Sequence, residues 1–230
     1  MFVLVYYSRV LGLSAGLVGT ALAIALIFDA ISDPLVGYAS DKFRSRWGRR
    51  HPFMYFACLP ISVLVYFLWN PPLEYLDEQS LFIYLICVTV TLRLLLTCFE
   101  VPSIALSPEL TDDYDERTHL ANYRVCASWI ATTVLSFLLY GYWLSDTPEY
   151  PDGLLNIAGY QQMGLVSAIA VLVAMLACAI GLHSKIPDFK RPVQNHTWTV
   201  SGTLRGLKSA YSEPALTPLL LAGILISVGF

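Results

Sequence analysis

Long apolar runs in this chain are broken by short polar segments. Runs near 17–40, 52–69, 81–106, 122–144 and 162–183 each reach the roughly 17–25 residues that a helix needs to cross the hydrocarbon of a bilayer. Two further stretches are incomplete. Phe2–Val10 is too short to span and carries Arg9, while Ala215–Phe230 stops without a polar flank. The chain is therefore expected to begin inside one helix and end inside another. A secretory signal peptide fits the start less well, because no basic segment precedes it and Ser14-Ala15-Gly16 runs straight into the next span.

Composition supports a lipid environment. Hydrophobic residues make up 56% of the 230 and charged residues 13%, with a mean hydropathy of +0.59, whereas about a quarter of a soluble domain is charged. The expected fold is an all-α polytopic membrane protein. The connection Ser184–Pro214, with Pro187, Pro192 and an amphipathic stretch at Gly202–Tyr211, is the clear internal boundary. It predicts a transmembrane lobe over 1–184, a central loop over 185–214 and the start of a second lobe over 215–230. That layout matches the first half of a two-lobed transporter.

Basic residues in short loops mark the cytoplasmic side. Asp41–Arg50 carries Lys42, Arg44, Arg46, Arg49 and Arg50, and the segment after His183 carries Lys185, Lys190, Arg191, Arg205 and Lys208. Asn70–Ser80 and Ser145–Gln161 carry no lysine or arginine. Loops 41–51, 107–121 and 185–214 are thus expected in the cytoplasm, the acidic middle one by alternation, with the plasma (inner) membrane as the location. The net charge of −3 says little about partners. Cys58, Cys87, Cys98, Cys126 and Cys178 are scattered through apolar spans without metal-ligand spacing and read as small buried hydrophobes. Asn195-His196-Thr197 matches a glycosylation sequon, but in a loop expected to be cytoplasmic.

Ionisable residues inside apolar spans carry the chemistry: Asp29, Asp33, Arg93, Glu100 and, at the inner start of its span, Arg124. Each must face protein or water rather than lipid. Helical spacing puts Asp29, Asp33, Gly37 and Ser40 on one stripe, and Arg93, Thr97 and Glu100 on another, with Pro102 weakening the nearby ladder. Two such stripes could converge on one cavity and give a small hard cation its oxygen ligands, or hold a proton on a carboxylate whose pKa burial and anionic neighbours raise. The alternative is a charge lock between helices, Asp29 or Glu100 against Arg93 or Arg124. Two arginines cannot neutralise three carboxylates, so a mobile cation or proton is expected to balance the remainder. An intramembrane aspartyl hydrolase also uses paired acids, but its aspartates face each other from different helices, and these two share one.

The run Phe28-Asp29-Ala30-Ile31-Ser32-Asp33-Pro34-Leu35-Val36-Gly37, continued by Ser40-Asp41 and Arg44-Ser45-Arg46-Trp47-Gly48-Arg49-Arg50-His51-Pro52-Phe53, resembles the second helix and following loop of the glycoside-pentoside-hexuronide:cation symporters. These form the melibiose-permease-like branch of the major facilitator superfamily. Tyr6-Tyr7 and Gly12–Thr20 resemble the family's first-to-second helix junction. The resemblance covers essentially the whole chain and implies the N-terminal six-helix lobe with a truncated first helix, plus part of the seventh. It implies cation-binding roles for Asp29, Asp33, Thr97 and Glu100, with Asp29, Asp33 and Glu100 ligating Na+ if sodium is the coupling ion. Arg124, in Tyr123-Arg124-Val125-Cys126-Ala127-Ser128, matches an arginine of the sugar site and, with Asp29, is a candidate solute-binding residue. Gly37, Asp41, Arg46, Gly48, Arg49 and Arg50 resemble the superfamily's gating loop, where an acid–arginine contact holds one access state.

Cation-coupled (Na+ or H+) uptake of a sugar-like solute by alternating access is the implied function. The expected partners are that solute, the coupling cation and the bilayer. No nucleic acid, cofactor or enzymatic activity is expected, and the full-length protein is expected to work as a monomer. Departures from the pattern touch the solute and the ion. The family's first-helix sugar-binding acid would precede Met1, Ile104 stands where the melibiose permeases have a tryptophan, and Arg93 replaces a small residue and is a candidate for charge balance. A lysolipid or other amphiphile, carried by a eukaryotic branch of the family, is the alternative solute.

Overall fold

The computed structural model describes residues 2–43, 45–73, 77–106, 109–111, 113–146 and 150–183. The chain divides into two compact units, Met1–Lys190 and Arg191–Phe230. All described residues belong to the first. The expectations for the central loop 185–214, the sequon and the apolar run 215–230 lie outside the described residues.

Among the described residues the protein is helical, without strands. A short helix α1 (Phe2–Val5) passes into a π-helical turn at Tyr6–Val10, followed by α2 (Ala15–Lys42), α3 (His51–Trp69), α4 (Glu78–Leu106), α5 (Tyr114–Leu138) and α6 (Ile157–His183). A second π-helical turn, Leu139–Trp143, extends α5. Five of these helices are long and apolar enough to cross a membrane, and they match the five expected runs. The chain is an integral membrane protein.

The helices outrun the hydropathy at their starts, and local capping explains why. The Asp113 carboxylate accepts from the backbone N–H groups of Asp115 and Glu116, so α5 begins at Tyr114 rather than near 122. Arg124 therefore stands ten residues along the helix, about 15 Å from its start, and not at its first turn. Asp77 similarly accepts from Ser80 N–H at 3.3 Å ahead of α4, and this hydrogen bonding holds its carboxyl below the usual carboxylate range. Asn156 Oδ1 accepts from Gly159 N–H at 3.0 Å, so α6 starts at Ile157 and not near 162. Hydropathy reports only the part of a helix that lipid would surround.

Helix α3 packs against both α4 and α6, and α2 packs along α4. The C-terminal end of α3 is closed by three tyrosines. Tyr84 donates to Phe67 O at 2.7 Å, Tyr7 to Leu68 O at 2.9 Å and Tyr6 to Trp69 O at 3.1 Å. They satisfy carbonyls that a helix end leaves without intrahelical partners, which matters most where water is excluded. The Trp69 ring stacks on Tyr160 of α6 with centroids 5.9 Å apart and planes 9° apart. Further along the α3–α6 seam, Ser62 donates to Ala168 O at 2.8 Å and Tyr55 to Ala179 O at 3.2 Å.

No residue of α5 is buried among the described residues. All five cysteines are free, Cys58 being buried while Cys87 and Cys126 are exposed. The expectation of uniformly buried cysteines is thus corrected, because an apolar run does not say which face of its helix is covered.

The α3–α6 contact depends on a missing side chain. A Cβ added at Gly164 would come within 2.4 Å of Trp69 Cβ, and both atoms belong to short, stiff parts of their residues. Gly164→Ala is expected to destabilise the helix pair by about 1–3 kcal/mol, seen as a lower midpoint of thermal unfolding in detergent.

Candidate functional site

Helices α2 and α4 meet along a row of residues spaced four apart on each. Asp29 Oδ2 accepts from Arg93 Nη1 at 2.9 Å, and Asp33 Oδ1 from Thr97 Oγ1 at 2.9 Å, each partner lying 64 residues further on. The same offset recurs one turn later, where a Cβ added at Gly37 would lie 3.5 Å from Val101 Cγ1. It recurs once more where Arg50 joins Asp41 to the Ala105 carbonyl. Because partner numbers rise together, α2 and α4 run parallel and in register. Steps of four follow the ridges by which helices interlock, so one stripe on each helix supplies all four rungs.

The first two rungs differ in charge. Asp29 faces a positively charged guanidinium, while Asp33 faces a neutral hydroxyl. The Thr97 hydroxyl has one proton to donate and two acceptors in reach, Asp33 Oδ1 and its own helix's Arg93 O at 3.1 Å. Ser32 Oγ lies 3.4 Å from Thr97 Oγ1 and also reaches Asp29 O at 3.3 Å. The Asp29 side chain is 19% exposed and that of Arg93 48%. Partial exposure keeps the pair near the modest worth of a surface ion pair, up to about 1 kcal/mol. Asp29 Oδ1 is buried with no hydrogen-bond partner, which opposes that gain.

Glu100 is not on this seam. A step of three from Thr97 turns it away, whereas a step of four leads to Val101, opposite Gly37; Glu100 is exposed and joins no ion pair among the described residues. Among the described residues no group of three His, Cys, Asp or Glu side chains could hold a metal ion. Arg124 is exposed on α5 between Tyr123 and Val125 and likewise joins no ion pair among the described residues. Ser40, read as part of the α2 stripe, is buried and donates to Gly37 O at 2.9 Å.

At the far end of the seam the loop between α2 and α3 turns back. Gly48 N–H donates to Ser45 O at 3.1 Å, and Gly48 has φ +80°, a conformation that costs other residues about 1 kcal/mol or more. The turn delivers Arg49 and Arg50 to the ends of α2 and α4. Arg50 donates from Nη2 to Asp41 Oδ1 at 2.7 Å and from Nη1 to both Ala105 O at 2.7 Å and Glu109 Oε1 at 2.8 Å. Arg49 Nη2 lies 2.5 Å from the same Glu109 oxygen. Arg46 stands apart from this network, its guanidinium carbon 5.4 Å from the Trp47 ring centroid. Glu109 is the residue that sequence reasoning missed. It lies just beyond α4, at the end where Arg49 and Arg50 gather, and that shared end was the signal that could have singled it out.

The fold and site define a polytopic α-helical membrane protein with an ion pair, Asp29 to Arg93, between two of its spans. A model of the family described as MFS/sugar transport protein matches residues 1–230. The chain belongs to this family, as the second-helix pattern implied. It is 34% identical over 189 residues to an uncharacterised symporter of Synechocystis sp., covering 80% of this chain and 34% of that protein. It is 34% identical over 125 residues to a putative glycoside/cation symporter of Escherichia coli, covering 54% and 27%. It is 26% identical over 230 residues to the human sodium-dependent lysophosphatidylcholine symporter 1, covering 91% and 41%. The chain thus spans about a third of the length of the curated relatives it matches.

Arg50 is 8% exposed at its side chain and Glu109 17%, so their network sits closer to a buried one. A lysine cannot reproduce its forked contacts to three acceptors. Arg50→Lys is expected to cost about 2–3 kcal/mol, less than the 3–5 of a fully buried pair because Asp41 is half exposed. Thermal unfolding of the purified membrane protein measures it.

Proposed function

We propose that this chain forms part of a secondary transporter that couples entry of a cation to uptake of a sugar or glycoside by alternating access. One observation carries the reading: inside an apolar span Asp33 meets, among the described residues, only the neutral Thr97 hydroxyl, while the carboxylate one turn earlier has a guanidinium. A carboxylate without a fixed counter-charge in such a span calls for a mobile cation or a proton. The exposure of Asp33, Arg93 and Glu100 supports placing this face of α2 and α4 on a water-filled cavity, with Glu100 and, from α5, Arg124 available to the solute or ion. Asp29, already paired, contributes orientation and solute contact.

On this reading loops 41–51 and 107–121 face the cytoplasm of a cell whose plasma (inner) membrane holds the protein. The Asp41, Arg49, Arg50 and Glu109 cluster is then the cytoplasmic lock. Closed, it favours one access state; the other requires these contacts to part. Coupling follows when cation and solute both stabilise the closed form through which the states exchange. The putative glycoside/cation symporter among the relatives supports a sugar-like solute. A lysolipid is the second reading, favoured by the match of 91% of the chain to a lysophosphatidylcholine symporter and by Ile104, exposed on α4 where a stacking tryptophan would suit a sugar.

Asp33→Asn in the full-length protein carrying this chain is expected to abolish cation-stimulated uptake while leaving membrane insertion intact. Uptake into cells or vesicles, with sodium and proton gradients applied separately to a panel of glycosides and lysolipids, is the measurement. Undiminished cation-driven uptake by the variant refutes the reading.

A further inference from the structure

Arg93 occupies one end of a rung whose other end is Asp29. Its Nη1 donates to Asp29 Oδ2 at 2.9 Å, and the remaining oxygen, Oδ1, is buried without a hydrogen-bond partner. The guanidinium is a fixed positive charge. Asp29 is consequently neutralised by its own protein, from the next helix, with no ion from solution. A sodium ion at this carboxylate would compete for the oxygen that Arg93 holds and would sit within a few ångströms of a like charge. Neither condition exists at Asp33, where the partner is a hydroxyl.

We propose that Arg93 is a tethered counter-cation that excludes sodium from Asp29, leaving Asp33 as the rung open to a mobile ion. The inference rests on the reading of the α2–α4 rungs as the coupling site and adds what Arg93 does at the second carboxylate, where it keeps sodium out. Half exposure of the Arg93 side chain gives it room to leave Asp29 without unpacking the helices. Removing its charge should therefore open the site rather than collapse it.

Sodium binding tests this without any knowledge of the solute. In the full-length protein, purified in detergent at constant ionic strength with choline replacing sodium, calorimetry and the sodium-dependent shift in melting temperature report binding. In the native protein and Arg93→Lys, which keeps a tethered charge, any sodium-dependent shift is expected to be unchanged by Asp29→Asn. Arg93→Gln and Arg93→Ala are expected to give a larger one, with sodium affinity at least about tenfold above native, equivalent to about 1.4 kcal/mol. Adding Asp29→Asn to Arg93→Gln should remove the gain.

Native protein that binds sodium as tightly as Arg93→Gln overturns the proposal, as does a folded Arg93→Gln that binds none. Should both neutral variants unfold, native sodium binding that Asp29→Asn abolishes still overturns it, and native behaviour toward sodium that Asp29→Asn leaves unchanged upholds it. Sodium binding gained in Arg93→Gln with no uptake of any solute would count against symport and leave the role of Arg93 standing. Uptake stimulated equally by sodium in native and Arg93→Gln would do the reverse.

Discussion

A polar group inside a bilayer must find its partner within the protein, because lipid offers none. The α2–α4 seam meets that demand by register. With the two helices parallel and offset by 64 residues, every fourth residue of α2 meets every fourth residue of α4, and one alignment satisfies several rungs at once. Sliding either helix by one residue would break them all: Asp29 would lose Arg93, Asp33 would lose Thr97, and the end of α4 would leave Arg50. The polar residues thus act as a register device. Their net contribution to stability is small where they are exposed, but they select one alignment among those that apolar packing alone would permit.

Helix α3 makes that alignment possible from the other side. It packs on both α4 and α6, its final carbonyls are capped by Tyr6, Tyr7 and Tyr84, and its first residues follow directly on Arg49 and Arg50. Fixing one end of α3 through tyrosines and the other through arginines sets its height relative to α2 and α4. Gly164 lets α6 come close to Trp69, and Gly48 supplies the left-handed turn that aims both arginines back at the helix ends. These two glycines serve different ends, one steric and one conformational.

Much of this was legible in the sequence. Apolar runs located all five long helices, because lipid imposes a length that composition alone reveals. The spacing of Asp29 and Asp33 placed both on one stripe, and Arg93 with Thr97 proved to be the matching stripe on α4. Steps of three and four look alike in a sequence, however, and only the packed helices separate Val101, on the seam, from Glu100, off it. The start of α5 was hidden because its first turns are charged and helical together, held by the Asp113 cap. Glu109 was hidden for another reason: its partners are about sixty positions away, and a short acidic segment looks the same whether or not arginines meet it.

On the proposed reading, site and lock belong to one mechanical element. Asp33 and Asp41 are eight residues apart on α2, about 12 Å along its axis, and between them lies the Gly37 rung, where no side chain on α2 obstructs Val101. Pro34 adds a second weak point, since a proline cannot donate the hydrogen bond that would tie it to the preceding turn, and Pro102 does the same on α4 beside Val101. Both helices therefore carry a proline within about one turn of the same level, between Asp33 and the arginine cluster at the end. A change of charge at Asp33 alters how strongly the upper rungs hold α2 to α4. The lower rung holds by Arg50. If the two ends move about that shared level, occupancy of the site and closure of the lock need no other linkage than the seam itself, which is the coupling that alternating access requires.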